Sequence, residues 1–454
     1  MTGSAPAEAS GFPEGPVVLR GALLVTQDDR RRVLRGDLRI ERGRLTHVGP
    51  DAPGEGATEI DARGFAAVPG FVNAHGHVAM SPLRGIADDR DLAGFLDVLF
   101  AVDARRTEED IEAGAEAGVV EMLLGGTTSF LDLYYGEDAV ARASRRWGAR
   151  AFLGWAVLDP EFTTQTGTPI DNARRFIGRW TGDPLVTPLV APQGVYVCGE
   201  ETWRAARALA EEAGTLVHYH LSETRREVHE HEAKTGRRPV DWLDAIGVLG
   251  PGQVAAHAVW LTGEEIGRLG RHRVGIAHCP SSNLKLASGG CAPIVELAGA
   301  GAVVGLGTDS VASNNSLSML REMHLAGLVQ KNQRWDAAAV SAQRLLDMAT
   351  REGARLLGRA ADLGSLEVGK RADLFLASLD HPTLQPARPE TIVSHLAYAA
   401  WEEAIDTVIV DGRRVIHHRR PTGGDVAAMW ARARDAADRL WERRPPDRPP
   451  GGPS

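Results

Sequence analysis

Residues 186–221 read VTPLVAPQGVYVCGEETWRAARALAEEAGTLVHYHL and contain one complete unit of the fold. An apolar run, VTPLVAP, is followed by a helical stretch, EETWRAARALAEEAG, and then by a second apolar run, TLVHYHL. Strand-like runs that alternate with helical stretches are typical of parallel sheets, because two parallel strands need a long crossover between them. This unit therefore predicts a parallel sheet that is covered by helices.

The same alternation extends over residues 70–358, where further helical patterns such as EEDIEAGAEAGVVEMLLGG lie between most of the apolar runs. The apolar runs are, in order, FVNAH, TTSFLDL, RAFLGWAV, VTPLVAP, TLVHYHL, QVAAHAVWL, VGIAHCP and AVVGLGTD. Eight such units over about 290 residues fit an α/β fold of the (β/α)8 TIM-barrel type. A doubly wound open sheet is the alternative, but it normally has a Gly-rich phosphate loop after its first strand, and this sequence has none.

The sequence on either side of the barrel has a different pattern of apolar residues. Short alternating runs such as VVLRGALLV precede it, and RADLFLAS and AIDTVIVDGRRVI follow it, with Asp411-Gly412 signalling a two-residue hairpin. Both ends are therefore expected to build one small composite β-sandwich domain. After it, VAAMWARARDAADRLWERR is expected to form an amphipathic helix and PPDRPPGGPS a disordered tail. The predicted boundaries are 1–68 and 361–422 for the β domain, 69–360 for the barrel, and 423–454 for the helix and tail.

Composition excludes several classes of protein. The chain has 454 residues, of which 43% are hydrophobic and 24% charged, and no apolar run approaches the roughly 18 residues that indicate a membrane span. Its net charge of −9 argues against a nucleic-acid-binding surface. Met1 to Pro16 has no secretory signal, so a cytoplasmic location is expected. The three cysteines, Cys198, Cys279 and Cys291, are too few and too scattered for a disulfide framework.

The first chemical signal is His75-Gly76-His77, at the end of the first predicted barrel strand. Residues two apart on a strand point to the same side, so both imidazoles are expected to point inward. Taken alone, this pair could equally be two structural histidines.

The other candidate residues favour a metal site. His220 ends the fifth predicted strand, His257 the sixth and Asp309 the eighth. All therefore lie at the carboxyl end of the barrel, where barrel enzymes place their chemistry. Three neutral imidazoles and a carboxylate suit one Zn²⁺, or another first-row divalent ion such as Fe²⁺. The predicted ligands are His75, His77, His220 and Asp309.

Further residues are placed to support catalysis. Zinc lowers the pKa of water from 15.7 toward ~7, and Glu223, three residues after His220, could move the protons. Its alternative role, as an acid at a helix N-terminus, is compatible with this. His257 could support the nucleophile or the developing charge, or it could be a core histidine. His218 is expected to fill the barrel or to support a ligand, and His278, at the end of the seventh strand, could touch the substrate.

Lysine usage bears on the number of metal ions. The chain has four lysines among 51 basic residues, and the first of them, Lys234, already lies beyond His220. Barrel hydrolases with two bridged ions commonly use a carbamylated lysine between the HxH pair and the fifth-strand histidine. A single ion is therefore predicted.

Together these motifs resemble the amidohydrolase superfamily, in particular the group that contains S-adenosylhomocysteine/methylthioadenosine deaminases and triazine chlorohydrolases. The resemblance covers nearly the whole chain. Its matching stretches are PGFVNAHGHVAMSPLRGIADD (69–89), GTTSFLDLY (126–134), HLSET (220–224), AHAVWL (256–261), AHCPSSNLKLASG (277–289) and GLGTDSVASNNSLSMLREM (305–323).

The resemblance implies the same four metal ligands, a proton shuttle at Glu223 and transition-state support from His257. The implied reaction is hydrolytic deamination, in which activated water attacks a ring carbon, Asp309 helps to deprotonate that water and Glu223 gives a proton to the departing amino group. It also implies the composite β domain.

The expected substrate contacts depart from the pattern of similar deaminases. Gln193 stands where histidine is usual. Asp103 stands where a glutamate usually grips ribose hydroxyls, although it could also be a solvated loop acid. Trp155 occupies a position where arginine can serve a carboxylate tail, which makes a homocysteine-like tail a poorer fit. His278 is the fourth candidate contact.

The leading hypothesis is therefore an aminohydrolase acting on the cyclic amidine of an aminated purine nucleoside or related heterocycle. Another ring at the same site, such as guanine, cytosine, a pterin or a chloro-triazine, is the alternative. A non-enzymatic barrel would be expected to have lost ligands, and this one has not. The expected partner is a small heterocycle rather than nucleic acid or a membrane. Homo-oligomers are frequent among similar proteins, but no segment indicates an interface.

Overall fold

The structure is a computed structural model, and it describes residues 15–444. The predicted tail at residues 445–454 lies outside the described residues. In chain order the strands are β1 (Val17–Val25), β2 (Val33–Glu41), β3 (Arg44–Gly49), β4 (Thr58–Asp61), β5 (Phe65–Pro69), β6 (Phe71–Gly76), β7 (Thr127–Tyr134), β8 (Arg150–Val157), β9 (Val186–Pro192), β10 (Val217–Leu221), β11 (Gln253–His257), β12 (Gly275–His278), β13 (Val304–Leu306), β14 (Leu374–Ser378), β15 (Ile405–Val410), β16 (Arg413–His417) and β17 (Arg420–Pro421).

Helices cover the barrel strands and the ends of the chain. They are α1 (Leu92–Asp103), α2 (Glu108–Leu124), α3 (Glu137–Trp147), α4 (Pro169–Trp180), α5 (Glu200–Ala213), α6 (Arg225–Thr235), α7 (Pro239–Ala245), α8 (Gly263–Arg271), α9 (Pro280–Lys285), α10 (Ile294–Gly299), α11 (Met319–Arg334), α12 (Ala342–Ala349), α13 (Arg351–Leu356), α14 (Ile392–Tyr398) and α15 (Val426–Trp441). Short 3-10 turns occur at Val78–Leu83, Pro160–Phe162, Pro382–Leu384 and Glu402–Ala404. The three helical patterns identified in the sequence form α2, α5 and α15.

The eight strands β6 to β13 form one parallel sheet in sequence order, and each predicted apolar run lies on one of them. A parallel bridge between Gly76, at the end of β6, and Asp309, just after β13, joins the first strand to the last. The predicted TIM barrel is thus confirmed. This closure also places the end of the first strand beside the end of the eighth, which matters for the site.

Both ends of the chain contribute to a second sheet of nine strands. Its hydrogen-bonded order is β17-β16-β15-β14-β5-β1-β2-β3, with β4 paired to β1. The predicted hairpin joins β15 to β16, with Asp411 at φ 50° and Gly412 at φ 74°, the left-handed pair that a type I′ turn requires. A separate cluster of buried apolar residues, including Leu24, Leu38 and Leu374, fills this domain. Both ends of the chain therefore contribute to one sheet, as expected, but all nine strands belong to that one sheet rather than to the two sheets of a sandwich.

A buried ion pair joins the two sheets. Arg150, at the start of β8, donates to both carboxylate oxygens of Asp373, just before β14, at 2.8 and 3.2 Å. Their side chains are only 1% and 3% exposed. The backbone N–H of Asp411 donates to the same carboxylate at 2.7 Å, so the charges are paired and hydrogen-bonded, as a buried ion pair requires.

Helix α1 was not foreseen from the sequence. Asp91 caps it by accepting a hydrogen bond from the backbone N–H of Gly94 at 2.9 Å. It lies over the carboxyl end of the barrel and buries Phe95, Leu99 and Val102. Within the described part of the chain, no helix combines the length and apolarity needed to cross a bilayer.

Candidate metal centre and active site

Four non-glycine residues at the carboxyl ends of barrel strands have left-handed backbone conformations, namely Ala258 (φ 51°) and three residues at or beside the predicted site. Those three are Ser222 (φ 47°), His257 (φ 71°) and Asp309 (φ 58°). Such conformations are uncommon for residues with a Cβ and persist where the surrounding structure holds them, often at functional sites. Here Asp309 is held by the closing bridge, in which its backbone N–H donates to the carbonyl of His75 at 3.0 Å.

The four sequence-predicted ligands converge at this end of the barrel. Asp309 Oδ1 lies 3.2 Å from His77 Nε2 and 3.4 Å from His75 Nε2. His220 Nε2 lies 3.4 Å from His77 Nε2. Because β6 and β13 are joined, a residue from the first strand and one from beyond the eighth meet at one point.

A chain of hydrogen bonds fixes the tautomer of His75. His218 Nδ1 lies 2.8 Å from the carbonyl oxygen of Val254, which can only accept, so this nitrogen carries the hydrogen. Burial lowers the pKa of His218 to about 3, so the ring is neutral and its Nε2 is an acceptor. That atom lies 2.8 Å from His75 Nδ1, which must donate to it. His75 Nε2 therefore presents a lone pair, and it has no hydrogen-bond partner.

The other two histidines are fixed in the same way. His77 Nδ1 donates to the carbonyl of Leu133 at 2.5 Å, and His220 Nδ1 donates to the carbonyl of Gln193 at 2.7 Å. Their Nε2 atoms are then acceptors as well. Metal-binding histidines commonly donate their second nitrogen to a carbonyl or carboxylate in this manner.

This donor set fits a divalent cation. With neutral imidazoles, three lone pairs and a carboxylate face one another, and none of the converging atoms has a hydrogen to share. Without a positive charge between them they would repel. The separations of 3.2 Å between Asp309 and His77 and of 3.4 Å between His77 and His220 are short enough for each pair to share one ion at about 2.0–2.1 Å, the distance that zinc takes from imidazole nitrogen.

Burial keeps most of these histidines neutral, as ligation requires. It lowers the pKa of His75 and of His220 well below the ordinary value. For His77 burial also lowers the pKa, but the contact with Asp309 outweighs it and the net direction is upward.

The carboxylate of Asp309 is oriented by neighbours that sequence analysis missed. Ser282 Oγ donates to its Oδ2 at 2.5 Å and Ser313 Oγ donates to the same oxygen at 3.1 Å. The backbone N–H of Ser310 donates to Oδ1 at 2.8 Å. Both serine side chains lie in the stretches AHCPSSNLKLASG and GLGTDSVASNNS, whose polar character was the available signal.

Glu223 lies beside this cluster and is 5% exposed. Its Oε2 is 3.6 Å from His257 Nε2, and its Oε1 has no hydrogen-bond partner. Burial raises the pKa of Glu223 well above its usual value, and the carboxylates of Asp309 and Glu227 add to this effect. Glu227 also accepts a hydrogen bond from the backbone N–H of Glu223 at 2.7 Å, which fixes the start of α6.

His257 is oriented by Asn283, another residue not foreseen. The side-chain nitrogen of Asn283, assigned as Nδ2, lies 3.1 Å from His257 Nδ1. Because an amide nitrogen only donates, His257 Nδ1 accepts and the ring hydrogen lies on Nε2. Burial lowers the pKa of His257 to about 4, so the ring is a neutral donor aimed at Glu223.

A cavity of about 440 Å³ extends outward from the cluster, and it tests the predicted substrate contacts. Asp103 and Gln193 line it. Trp155 lies behind the wall and donates from Nε1 to Gln165 Oε1 at 2.8 Å, and Gln165 lines the cavity instead. His278 is fully buried outside the lining, with neither nitrogen hydrogen-bonded. Neither Trp155 nor His278 lines the cavity.

Asp103 is a fixed residue at the end of α1 rather than a solvated loop acid. Tyr134 Oη donates to its carboxylate at 2.5 Å, and Arg106 Nη1 lies 3.3 Å from Oδ1. Arg106 also donates to Tyr134 Oη at 2.7 Å. A carboxylate offers about four acceptor positions, so oxygen lone pairs remain for a ligand in the cavity.

Comparison with known proteins agrees with this arrangement. The sequence profile of the amidohydrolase family matches residues 66–415, which is well over half of the chain. The chain belongs to the amidohydrolase family. The span of the match runs from β5 to β16 and so includes the whole barrel together with parts of the composite domain.

Individual relatives of this amidohydrolase are similar over nearly their full length. It is 39% identical over 438 residues to a 5-methylthioadenosine/S-adenosylhomocysteine deaminase of Pelotomaculum thermopropionicum, covering 94% of this chain and 99% of that protein. Among solved structures, an adenosine deaminase from Xanthomonas campestris with bound zinc has a TM-score of 0.89 and 33% identity, covering 93% and 98% of the two chains. The atrazine chlorohydrolase of Arthrobacter aurescens in complex with zinc has a TM-score of 0.85 and 27% identity, covering 93% and 100%.

Proposed function

We propose that this amidohydrolase removes ammonia hydrolytically from an aminated purine nucleoside or a closely related heterocycle. One observation carries the proposal: three imidazole lone pairs and a carboxylate converge beside a buried carboxyl group that has an unpaired oxygen. The named activities of similar proteins, which are adenosine-type deaminases, support the choice of substrate.

We propose a single divalent ion at this site, with zinc as the first choice and iron(II) as the alternative. When bound, the ion makes water acidic enough to provide a nucleophile near neutral pH. The absence of any lysine between the HxH pair and the fifth-strand histidine supports one ion rather than two. The proposed ligands are His75, His77, His220 and Asp309.

The chain's own residues would move the protons. The oxygen of water forms a bond to the ring carbon that bears the amino group, and Asp309 accepts a proton from that water. Glu223 gives its proton to the ring nitrogen beside that carbon as the oxygen–carbon bond forms. It then takes the second proton of the attacking water and gives it to the amino group as the carbon–nitrogen bond breaks, so that ammonia leaves with its electron pair. The proton held by Asp309 restores Glu223 at the end of the cycle. His257, which carries its hydrogen on Nε2, donates toward the oxygen where charge develops.

Glu223 favours an amino leaving group over chloride. An amine leaves poorly unless it is protonated, whereas chloride needs no proton. A carboxyl group whose pKa is raised by burial can hold a proton and donate it near neutral pH. This supports deamination over chloro-triazine hydrolysis for the same barrel.

In the cavity, we propose that Asp103 accepts hydrogen bonds from sugar hydroxyls. Gln193 contributes in two ways, because its backbone carbonyl holds His220 while the residue also lines the cavity. Its side chain is proposed to face the substrate ring.

The test is ammonia release by the full chain purified without chelator, with metal content measured on the same sample. We expect about one ion per chain, loss of activity on chelation, recovery with Zn²⁺ or Fe²⁺, and turnover of adenosine derivatives in preference to guanine, cytosine, pterin and chloro-triazine. If no adenine compound released ammonia, the proposed substrate would be contradicted. Two ions per chain would contradict the single-metal site.

A further inference from the structure

Helix α1 forms the outer wall of the cavity. Six of its twelve residues, from Leu92 to Asp103, line the cavity. The helix belongs to a segment that leaves the barrel after the 3-10 turn at Val78–Leu83 and ends at Thr107, the residue that caps α2. The position of the wall therefore depends on how the two ends of this segment are held.

Two adjacent arginines near the C-terminal end of the described chain hold both ends of the segment. Arg444 Nε donates to the carbonyl of Ile86, before α1, at 2.8 Å. Arg443 Nη1 donates to the carbonyl of Arg105, after α1, at 2.6 Å. Hydrogen bonds from a charged donor are stronger than those between neutral groups. The two bonds thereby close residues 87–104 into a loop that contains α1.

The arginines are themselves fixed by α15. They follow its last residue in a turn in which the backbone N–H of Arg443 donates to the carbonyl of Leu440 and that of Arg444 to the carbonyl of Trp441, both at 3.1 Å. The indole Nε1 of Trp441 lies 3.4 Å from the carbonyl of Pro82, at the base of the same segment. The end of α15 thus lies directly against the start of the segment.

Helix α15 has other contacts that dock it on α2. Arg439 donates to the buried carboxylate of Asp110 on α2 at 2.6 and 3.1 Å, and Arg443 adds a longer contact of 3.7 Å to the same group. The apolar face of α15 buries Met429, Ala433, Ala436 and Leu440. The docking of α15 therefore does not require the bonds to the carbonyls on either side of α1.

A further set of contacts connects this arrangement to the cavity. Arg106, the residue after Arg105, donates to Tyr134 Oη at 2.7 Å, lies 3.3 Å from Asp103 Oδ1 and donates to the carbonyl of Ala79 at 2.5 Å. A displaced Arg105 would move Arg106 and the end of α1 together. The carboxylate of Asp103, which lines the cavity, would move with them.

We infer that Arg443 and Arg444 are positioning residues for the substrate cavity, because they hold the carbonyls of Ile86 and Arg105 and so set the place of α1 and of Asp103. The effect on substrate binding rests on the proposed function, whereas the effect on α1 does not. The residues of the metal cluster lie at the barrel strands and have hydrogen bonds of their own. Loss of the two arginines should therefore weaken substrate binding more than it slows turnover.

The first experiment measures backbone hydrogen exchange by mass spectrometry in the full chain, as wild type and as the double variant Arg443→Met/Arg444→Met. Methionine keeps an apolar stem but removes the donors. The amides of α1 should exchange about tenfold faster, the effect of losing one charge-assisted bond on a local opening equilibrium, while α2 and the barrel strands exchange as in the wild type. Unchanged exchange in α1, or equal acceleration throughout the chain, would overturn the inference.

The second experiment measures kcat and KM of the metal-loaded chain with adenosine and 5′-methylthioadenosine. In the double variant KM should rise about tenfold while kcat changes less than about twofold. A fall in kcat with KM unchanged, or an unchanged KM despite faster exchange in α1, would overturn the inference. If the wild type released ammonia from neither compound, the proposed function would fail, and hydrogen exchange would still decide whether the arginines position α1.

Single variants and a matched control locate the effect. Arg444→Met should accelerate exchange mainly at the start of α1 and Arg443→Met mainly at its end, and either serves if the double variant folds poorly. Arg35→Met is the control, because Arg35 is an exposed arginine of the composite domain whose Nη1 donates to the carbonyls of Arg63 at 2.9 Å and Gly21 at 3.3 Å. It should keep wild-type KM and wild-type exchange in α1; an equal effect from this control would overturn the inference.

Discussion

The inner end of the cavity and its outer wall are held in place by different kinds of contact. At the inner end every proposed metal ligand has a hydrogen bond that fixes the orientation of its side chain, such as His220 to a backbone carbonyl and Asp309 to two serines. The outer wall is one helix face and a few loop residues, and two of its aromatic side chains, Phe100 and Phe162, are about half exposed. The comparison teaches that directional hydrogen bonds fix the side chains of the inner end, whereas non-directional apolar contact shapes the outer wall.

The largest effect should follow from Glu223→Gln. The amide keeps the shape of the side chain but cannot shuttle a proton, so kcat should fall by about 10³-fold while metal content stays at the wild-type level. Steady-state ammonia release and metal analysis on the same preparation measure this. Glu230→Gln, at an exposed site on α6 shortly after Glu223, is the control and should behave as wild type.

Asp309→Asn tests a residue that is proposed to bind the metal ion, whereas Glu223→Gln tests a residue that is proposed only to move protons. Asp309→Asn should lower metal content and turnover together, because the amide is a weaker ligand. Loss of metal from Glu223→Gln instead would show that the two roles had been assigned to the wrong residues.

The next effect concerns the support of His75. His218→Phe keeps a ring of similar size in the barrel but removes the acceptor for His75 Nδ1, so metal affinity should fall about 10- to 100-fold. Competition with a chelator of known affinity measures this directly. His229→Phe, at an exposed position on α6, should keep wild-type affinity; equal affinity in both variants would show that the hydrogen bond does not tune the ligand.

Asn283 offers a finer test, because it acts through His257. Asn283→Ala should lower kcat by about tenfold, the value of one buried hydrogen bond, with metal content unchanged and KM little affected. Asn283→Asp should be worse, since a carboxylate would draw the ring hydrogen to Nδ1. Asn332→Asp, exposed on α11, controls for the added charge. A change in KM alone would place Asn283 in substrate binding instead.

The smallest effect belongs to the outer wall. Phe162→Ala removes a side chain that is already 50% exposed, so less than about 1 kcal/mol of contact is lost and KM should rise less than about fivefold, with kcat unchanged. Initial-rate kinetics over a range of substrate concentrations distinguish the two parameters. A large fall in kcat would show that the outer wall also affects the reacting atoms, which would contradict the assignment of that role to the inner end alone.

The difference between the inner end and the outer wall also explains which features the sequence could predict. His75, His220 and Asp309 could be located because strand periodicity and the parallel barrel together place strand ends on one rim. The apolar runs of the barrel also agree with the strands of the structure. The composite domain could be predicted because short alternating apolar runs occur at both ends of the chain.

Other features depend on contacts that no local pattern encodes. Helix α1 packs one face on the barrel through Val98 and Val102 and lines the cavity with another through Leu96, so it lacks a broad polar face and its helical period is obscured. Ser282 and Asn283 lie on the short helix α9, and only the tertiary structure shows which atoms they face. The sequence predicted that Trp155 and His278 contact the substrate, but neither residue lines the cavity. Which side chains line a cavity depends on tertiary contacts that no local pattern encodes.

The bridge between Gly76 and Asp309 has a consequence for protein synthesis. The two histidines of the first strand leave the ribosome early, but the carboxylate that completes their cluster emerges only after the eighth strand. Under the proposed ligand set, a nascent chain would hold only part of the metal site until the barrel closes. Ion capture would then mark completion of the barrel, and chains that end before Asp309 would lack the fourth proposed ligand.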